Sequence, residues 1–537
     1  MYNNCMGVIN LLLALAAAHA EPAASGMTLC TYGNSAMHGR PQTNTTVNDL
    51  ELSVPLSPTI GSAEVTGSVS FDKDIMIALT CSFADGIMAF VWIRDHLVCH
   101  THPVPFGNSP SSTDGSPEYP LPVKNGQIDP VVVHIYNTGA NKTSAISIQW
   151  AELEAPLAKG SAPPTVPIPA SNLSPTLPAS EIQRRALQDA LKTGWSTWSY
   201  NMLGVTRLPD SSTLTTALCK VSTGDCLVQT HIEDSAAEIR VGVFATDASY
   251  WQFYLGYKGV NVSLSYSGGN GPLNMLIEPQ NCGAGSSGTV DCSDYAVVVL
   301  PRFAWFRQGG VAVDQASGSI SLTAMGMPTR TVYATRTDGH NITVNSTHLP
   351  TGPKLILGLG QGSVGLREGK TPDPAVTIDE IKKVIIAARE KEYNSYKTYG
   401  QYAEVKEALQ AATMWNYIYT PAEYGPFMPV SRSWDFVKKP VNLDWGYVIF
   451  DWDNIFATYM TSLSSREIAY SNFIQVIRSK TALGFVPNFS AGGSKSIDRT
   501  EPPIGAKVLL EMYRKFQDKW IVELLFDDLK AWNDWYV

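Results

Sequence analysis

Gly446-Tyr-Val-Ile-Phe-Asp-Trp-Asp-Asn-Ile-Phe456 lies in the part of the chain that decides the fold and leads into a helix predicted near 453–463. Beyond Pro374 apolar residues recur about every 3.6 positions, which predicts helices. The other five helices are expected near 377–396, 401–419, 465–480, 503–517 and 519–536. Thr377 and Glu380 have capping-box spacing, and Pro502-Pro503 would open the fifth helix. This part is therefore predicted as six helices in consecutive hairpin-like pairs.

The chain before Pro374 has a different pattern, with short alternating or apolar runs separated by Gly, Pro, Asn and Ser. These runs predict antiparallel β structure over 27–152 and a large β-sandwich over 213–360. Prolines crowd residues 155–179 and predict an extended connector, and an amphipathic helix is expected near 180–192. The predicted fold class is multidomain β plus α, with a β-rich, sandwich-like region over 27–375 and a helical region over 376–537.

Composition and the N-terminal residues limit the location and partners of the protein. The net charge is −9, and Lys and Arg form no stripe along a helix, so nucleic-acid binding is not expected. Residues 7–18 are largely apolar and end in Ala18-His19-Ala20, which predicts a signal peptide over 1–20. No later stretch is long enough to span a membrane. We expect a secreted or lumenal protein, with an uncleaved anchor as the alternative.

Cysteines and glycosylation sequons agree with this location. The spacings of Cys219 with Cys226 and of Cys282 with Cys292 predict short disulfide-closed loops rather than zinc sites, and Cys30 is expected to be left over. Asn-x-Ser/Thr sequons start at Asn44, Asn141, Asn172, Asn261, Asn341, Asn345 and Asn488. Together with the signal peptide, they predict a disulfide-bonded glycoprotein.

Tryptophans and acids are concentrated together near the C-terminal end. Seven of the thirteen tryptophans lie beyond residue 414, interleaved with Asp and Glu. Flat aromatic rings bind the C–H faces of sugars, carboxylates accept hydrogen bonds from hydroxyls, and paired carboxyls hydrolyse glycosidic bonds. The alternative is that Trp520, Trp532 and Trp535 fill a helix–helix core. That alternative explains less for the tryptophans in or beside loops, which are Trp434, Trp445 and Trp452.

Four segments together resemble glycoside hydrolase family 63, which includes processing α-glucosidase and mannosylglycerate hydrolases. They are Pro429-Val-Ser-Arg-Ser-Trp434, the stretch 446–456, Gly484-Phe-Val-Pro-Asn488 and Asp498-Arg-Thr-Glu-Pro-Pro503. The W-D-x-x-F element followed by G-F-x-P-N and D-R-x-x-P-P forms a combination that is specific for this family. The resemblance covers about 377–537 and implies a β-sandwich followed by a six-hairpin (α/α)6 barrel. It also implies hydrolysis of α-glucosidic or related α-glycosidic bonds with inversion.

The resemblance also implies a sugar site. Trp452 and Asp453 would form the subsite at the cleavage point, Phe456 would wall it, and Asn488 and Arg499 would contact the sugar from a loop. The substrate would be an oligosaccharide or a small glycoside. No organic cofactor and no metal site are implied, and a structural Ca²⁺ near the acidic loops is left open.

The sequence departs from the family at the catalytic carboxylates. The family's general acid, in a Ser-Gly-x-Asp type motif, and its later Glu base are both missing and would be expected beyond Val537. Six helices are half of a closed barrel and would expose apolar faces. The chain is therefore expected to be either a fragment of a glycosidase or a catalytically dead relative.

Three other expectations concern what these residues could do by themselves. Asp451 and Asp453 would point apart on a helix and together on a strand, and neither arrangement predicts self-contained catalysis. The alternative function is non-catalytic carbohydrate binding. A third possibility is that the second half of the chain has no stable fold.

Overall fold

The computed structural model describes residues 25–34, 37, 39–57, 59–84, 87–94, 96–101, 121–137, 143–153, 164–192, 194–197, 203–208, 210–227, 237–283, 288–304, 309–335, 352–419, 426–430, 447–481, 483–491 and 494–537. Several predicted features lie outside these residues. They are the signal peptide, the sequons at Asn141, Asn341 and Asn345, and the tryptophans Trp434 and Trp445.

The first part of the chain forms two antiparallel sheets packed face to face. The strands are β1 (Met27–Tyr32), β2 (Thr43–Val47), β3 (Glu51–Pro55), β4 (Ser62–Ser70), β5 (Ile75–Phe83), β6 (Ile87–Ile93), β7 (His96–His100), β8 (Leu121–Val123), β9 (Ile128–Asn137), β10 (Thr143–Leu153), β11 (Val166–Pro167) and β12 (Leu173–Ser174). One sheet has the order β2-β1-β4-β9-β6-β7, with β12 beside β4. The other has the order β11-β10-β5-β8, with β3 beside β10. The predicted antiparallel β structure is confirmed.

Strand β6 is buried on both faces. Ala89 and Val91 point into the core between the two sheets, whereas Phe90 and Trp92 point the other way and pack with residues of the helices. Successive side chains of a strand alternate between faces, so an unbroken apolar run requires cover on both sides. The first sandwich and the helices therefore share one packed interface.

The predicted proline-rich connector is partly built into this sandwich. Strand β11 pairs with β10 in one sheet and β12 pairs with β4 in the other. The described residues 164–178 therefore do not form a free linker. Proline is compatible with such positions because an edge strand leaves one row of its amides without a ladder partner.

A second pair of antiparallel sheets follows. Its strands are β13 (Trp195–Thr197), β14 (Leu203–Arg207), β15 (Ser212–Lys220), β16 (Asp225–Leu227), β17 (Ala237–Phe244), β18 (Tyr250–Tyr257), β19 (Val260–Ser267), β20 (Asn274–Pro279), β21 (Tyr295–Phe303), β22 (Gly309–Asp314), β23 (Ser319–Ala324), β24 (Arg330–Thr335), β25 (Leu355–Gly358) and β26 (Val364–Gly369). The orders are β13-β14-β15-β21-β25, with β16 beside β15, and β17-β18-β19-β20-β26-β24-β23-β22. A core of aliphatic and aromatic side chains lies between them.

Seven α-helices lie among the described residues, close to the predicted positions. They are α1 (Ala179–Leu191), α2 (Ile378–Lys397), α3 (Ala403–Trp415), α4 (Asp451–Thr461), α5 (Arg466–Arg478), α6 (Gly505–Phe516) and α7 (Lys519–Trp535). The Thr377–Glu380 capping box is formed, and the two prolines lie just ahead of α6 rather than inside it. The β-plus-α class is confirmed. The described residues show no closed barrel, so the half barrel stays a prediction.

Helix α1 is buried through charged residues as well as apolar ones. Arg185 pairs with Glu64 of β4 at 2.6 Å, and Glu181 pairs with Arg478 at the end of α5 at 3.1 Å. Arg478 also pairs with Asp528 of α7 at 2.7 Å. Buried charges require partners, so these pairs fix how α1, α5 and α7 sit against the first sandwich.

Three disulfides are formed between described cysteines. Cys81–Cys99 joins the two sheets of the first sandwich, and the bridges Cys219–Cys226 and Cys282–Cys292 close the short loops that the spacing predicted. Cys30 is also disulfide-bonded, so the prediction that it is left over is wrong. The bridges fit an oxidising compartment. None of the described helices is both long enough and apolar enough to cross a membrane.

Candidate functional site

The first turns of α4 hold three of the five predicted site residues. The short strand β27 (Ile449–Phe450) leads directly into this helix, and the side chain of Asn454 accepts the Phe450 N–H at 3.0 Å. Trp452 and Phe456 are 38% and 49% exposed, and their ring centroids are 6.3 Å apart. Asp453 is exposed beside them. The arrangement is an aromatic and acidic patch that is open to solvent.

This patch is the start of a longer apolar stripe on α4. Tyr459 on the helix and Leu463, two residues beyond its end, are also exposed, at 45% and 44%. With Trp452 and Phe456 they follow the spacing of one helix face. The described helices therefore do expose an apolar face, as the sequence predicts.

Asp451 points into the protein, away from Asp453. Side chains two residues apart on a helix point about 200° apart around its axis. Asp451 is accordingly buried, with 1% of its surface exposed. Its Oδ2 accepts the Thr500 hydroxyl at 3.0 Å and the Glu501 N–H at 2.8 Å, and its Oδ1 accepts the Trp452 N–H. Of the two arrangements considered for these aspartates, the helical one is correct.

The loop over 488–501 lies against the start of α4. Two strands within it, β28 (Phe489–Ala491) and β29 (Ser494–Lys495), extend the small sheet that β27 begins. Asn488 accepts the Asp451 N–H at 3.2 Å through its carbonyl, and its side-chain amide donates to Glu501 at 2.6 Å. The Arg499 guanidinium is exposed and pairs with Asp498 at 2.8 Å. Asn488 therefore supports the loop, whereas Arg499 is free to reach solvent.

The C-terminal end of α7 closes the back of this loop. The indole N–H of Trp532 donates to Thr500 at 3.0 Å, and the Tyr536 hydroxyl donates to the Glu501 carbonyl at 2.8 Å. Trp532 is buried, as the helix-core interpretation predicts, whereas Trp535 is 39% exposed. Sequence reasoning did not select Thr500, Glu501 or Tyr536 as site residues. The sequence did point to this segment, because Thr500 and Glu501 occupy the two x positions of the D-R-x-x-P-P element.

Two carboxyl groups at the start of α4 have raised pKa values. Burial, then a side-chain hydrogen bond with Glu501, raises the pKa of Asp451 to about 8. Partial burial and the negative charge of Glu501 raise the pKa of Asp453. Within the part of the chain that the structure describes, no group of three His, Cys, Asp or Glu could hold a metal ion.

The geometry favours binding over hydrolysis by these residues alone. Both oxygens of Asp451 are occupied by protein donors, and its burial keeps it from a bound sugar. Inverting hydrolysis needs an acid and a base about 6.5–9.5 Å apart on opposite sides of the bond. The patch of Trp452, Asp453 and Phe456 contains one carboxylate, so it does not supply such a pair. What the patch offers is an aromatic face with a carboxylate acceptor next to it.

Comparisons with known proteins do not identify the chain. No protein-family model matches it, and no curated protein sequence does. An anti-sigma factor domain-containing protein from Clostridium clariflavum aligns over 64% of this chain and 89% of its own at 9% identity, with a TM-score of 0.21. A β-glucosidase from Kluyveromyces marxianus in complex with glucose aligns over 25% of this chain and 17% of its own at 16% identity, with a TM-score of 0.20. Likenesses this weak carry no argument, so the family 63 resemblance rests on the sequence motifs.

Proposed function

We propose that this chain belongs to a glycoside hydrolase that acts on α-glucosidic or related α-glycosidic bonds with inversion, and that it supplies part of the sugar-binding site. The observation that carries the proposal is the patch of Trp452, Asp453 and Phe456 at the first turns of α4. The family 63 motifs coincide with this patch and with the loop that supports it. The helices from α2 onward would be the first half of the six-hairpin barrel.

Each patch residue has a specific role in this proposal. The Trp452 ring stacks on the C–H face of the sugar, and Phe456 borders the same space. Asp453 accepts hydrogen bonds from sugar hydroxyls, which are stronger when the acceptor is charged. Arg499 provides a donor from the loop. The acid and base of hydrolysis are not among these residues.

Replacing Trp452 or Asp453 with alanine should weaken binding of methyl α-glucoside by roughly tenfold, which corresponds to about 1.4 kcal/mol for each lost contact. Isothermal titration calorimetry, with methyl α-mannoside and methyl β-glucoside as comparison ligands, measures the effect. The matched control is Tyr459→Ala, because Tyr459 is exposed on the same helix stripe but lies two turns further along. If all three variants bound methyl α-glucoside as tightly as the natural protein, the patch would not be a sugar platform.

The second candidate function is carbohydrate binding without cleavage. It is favoured by the burial of Asp451, which removes one carboxylate from the reach of a sugar. Release of free glucose or mannose from the α-glycosides bound in the calorimeter distinguishes the two candidates. Binding without release by the natural protein would select the non-catalytic function.

A secreted or secretory-pathway location belongs to the same proposal, and it makes the sequons testable. We expect glycans at Asn44 and Asn261, which are exposed on β2 and β19. Asn172 and Asn488 should be unmodified, because their side-chain amides donate to Ser70 at 2.7 Å and to Glu501 at 2.6 Å. Glycopeptide mass spectrometry of protein from eukaryotic secretory cells measures occupancy. Full occupancy at Asn488 would mean that the amide does not hold the loop.

A further inference from the structure

Two buried asparagines lie beneath the patch of Trp452, Asp453 and Phe456. Asn454 lies on α4 between the two aromatic residues, and side chains two residues apart on a helix point to roughly opposite sides. Asn454 therefore points into the protein and is 1% exposed, whereas both rings face solvent. Asn472 on α5 is completely buried. Burying an amide is unfavourable unless its polar atoms find partners, so those partners indicate what the two residues do.

The two amides hold the backbone of Met428 from two different helices. The Met428 N–H donates to Oδ1 of Asn472 at 2.8 Å, and the Met428 carbonyl accepts a hydrogen bond from Nδ2 of Asn454. Met428 is itself 1% exposed. An N–H requires an amide oxygen as its partner, and a carbonyl requires an amide N–H. The Met428 backbone therefore fixes the orientation of both asparagine side chains.

The remaining atoms of the two amides hold the first turns of α4. Oδ1 of Asn454 accepts the Phe450 N–H at 3.0 Å, where β27 enters the helix. Nδ2 of Asn472 donates to the Asn454 carbonyl and to the Thr458 hydroxyl, both at 2.9 Å. Each nitrogen and oxygen of the two amide groups thus has a partner. A buried polar network in which every member is bonded specifies one arrangement, whereas apolar side chains of similar size can pack in several.

The network also joins two of the segments that the sequence motifs select. Met428 precedes Pro429, the first residue of the 429–434 motif, and the Val430 N–H donates to the Val448 carbonyl at 3.0 Å. The described start of this motif therefore runs beside the residues that lead into α4. Because the rings of the patch face solvent, their direction depends on how the first turns of α4 are held from beneath.

We propose that Asn454 and Asn472 are positioning residues of the sugar site. By holding α4 against the Met428 backbone, they set the direction in which the patch faces a sugar. Neither residue touches the sugar, because both are buried. The inference rests on the proposed function for its effect on sugar binding, whereas its effect on Trp452 can be measured without a sugar.

The first test compares the affinity for methyl α-glucoside among folded variants of the full chain. Asn454→Leu keeps the size of the side chain but removes its hydrogen bonds. It should weaken binding at least about tenfold, because a binding site tolerates displacements of only about 0.5 Å. The matched control is Gln410→Leu, since Gln410 is a buried amide on α3 that donates to the Phe244 carbonyl of β17 at 2.5 Å. This control should lower stability but change the affinity by less than about twofold.

A conservative variant provides a rescue of the network. In Asn454→Asp, the protonated carboxyl accepts the Phe450 N–H and donates to the Met428 carbonyl as the amide does, whereas the ionised form has no donor. Burial raises the pKa of a carboxyl, so the affinity of this variant relative to the natural chain should fall between about pH 5 and 9. Taking the ratio removes the titration of Asp453. A purely structural role would leave the ratio constant in the folded chain, and this variant also serves if Asn454→Leu does not fold.

A second measurement needs no sugar and separates the two proposals. In a chain labelled with fluorotryptophan, the fluorine resonance of Trp452 is assigned with Trp452→Phe. This resonance should shift or broaden in Asn454→Leu and stay in place in Gln410→Leu. A changed resonance in a chain that binds no α-glycoside would refute only the proposed function. If both the resonance and the affinity were unchanged in Asn454→Leu, the positioning role would be overturned.

Discussion

Replacing Asp528 with alanine should lower the free energy of unfolding by about 3–5 kcal/mol, which is the cost of leaving buried charge without its partner. Asp528 on α7 pairs with Arg478 at 2.7 Å and with Lys480 at 2.5 Å, and all three side chains are less than 10% exposed. Without the carboxylate, the two cations would remain inside the protein. Urea unfolding followed by tryptophan fluorescence measures the change.

The matched control lies six residues further along the same helix. Asp534 pairs with Lys530, and both are more than half exposed, so Asp534→Ala should cost less than about 1 kcal/mol. If the two alanine variants were equally stable, the buried pairs would not hold α1, α5 and α7 together. Burial of the charged face of α1 would then need another cause.

The ion pairs of Asp528 also make the stability of the fold depend on pH. Burial by itself would raise the pKa of Asp528, but the charges of Arg478 and Lys480 outweigh burial and hold it below its usual range. A lowered pKa in the folded state gives stability that is present above the unfolded value of about 3.9. That stability is lost as the pH falls through the lower, folded value. Asp528→Ala should therefore lose less stability on acidification below pH 4 than the natural chain.

Replacing Trp92 with alanine should cost about 3–5 kcal/mol, the range for truncating a large buried aromatic residue. Trp92 on β6 is 2% exposed and stacks near Phe90 with ring centroids 5.7 Å apart. It belongs to the core that β6 shares with the helices, so the cavity would weaken the contact between the first sandwich and the helical part.

Trp452→Ala is the comparison for this substitution, because it removes the same side chain from an exposed position. We expect it to change the unfolding free energy by no more than about 1 kcal/mol while it abolishes most sugar affinity. Trp92→Ala should do the reverse and leave the affinity of the folded protein unchanged. An unaltered unfolding curve for Trp92→Ala would mean that β6 is not part of a shared core.

The local sequence pattern predicted the helices and the short disulfide loops of this fold well. The 3.6-residue period placed the helices from α2 to α7 within about four residues at each end, and the Thr377–Glu380 box started α2 as expected. Close cysteine spacing anticipated the bridges Cys219–Cys226 and Cys282–Cys292. Such features depend on neighbours within a few residues, so the sequence contains all the information they need. The W-D-x-x-F element likewise pointed to Trp452, Asp453 and Phe456, which lie together on the surface of α4.

Only the tertiary structure decided which partner each of these polar side chains meets. Asp451 meets Glu501, fifty positions later in the chain, because α4 and the loop pack against α7. The same applies to Arg478, which joins Glu181 to Asp528, and to Asn488, whose amide is used by the loop. A residue's periodicity tells which way its side chain points but not what it meets there. That partner is set by the packing of distant segments, which minimises buried charge and empty space for the whole chain at once.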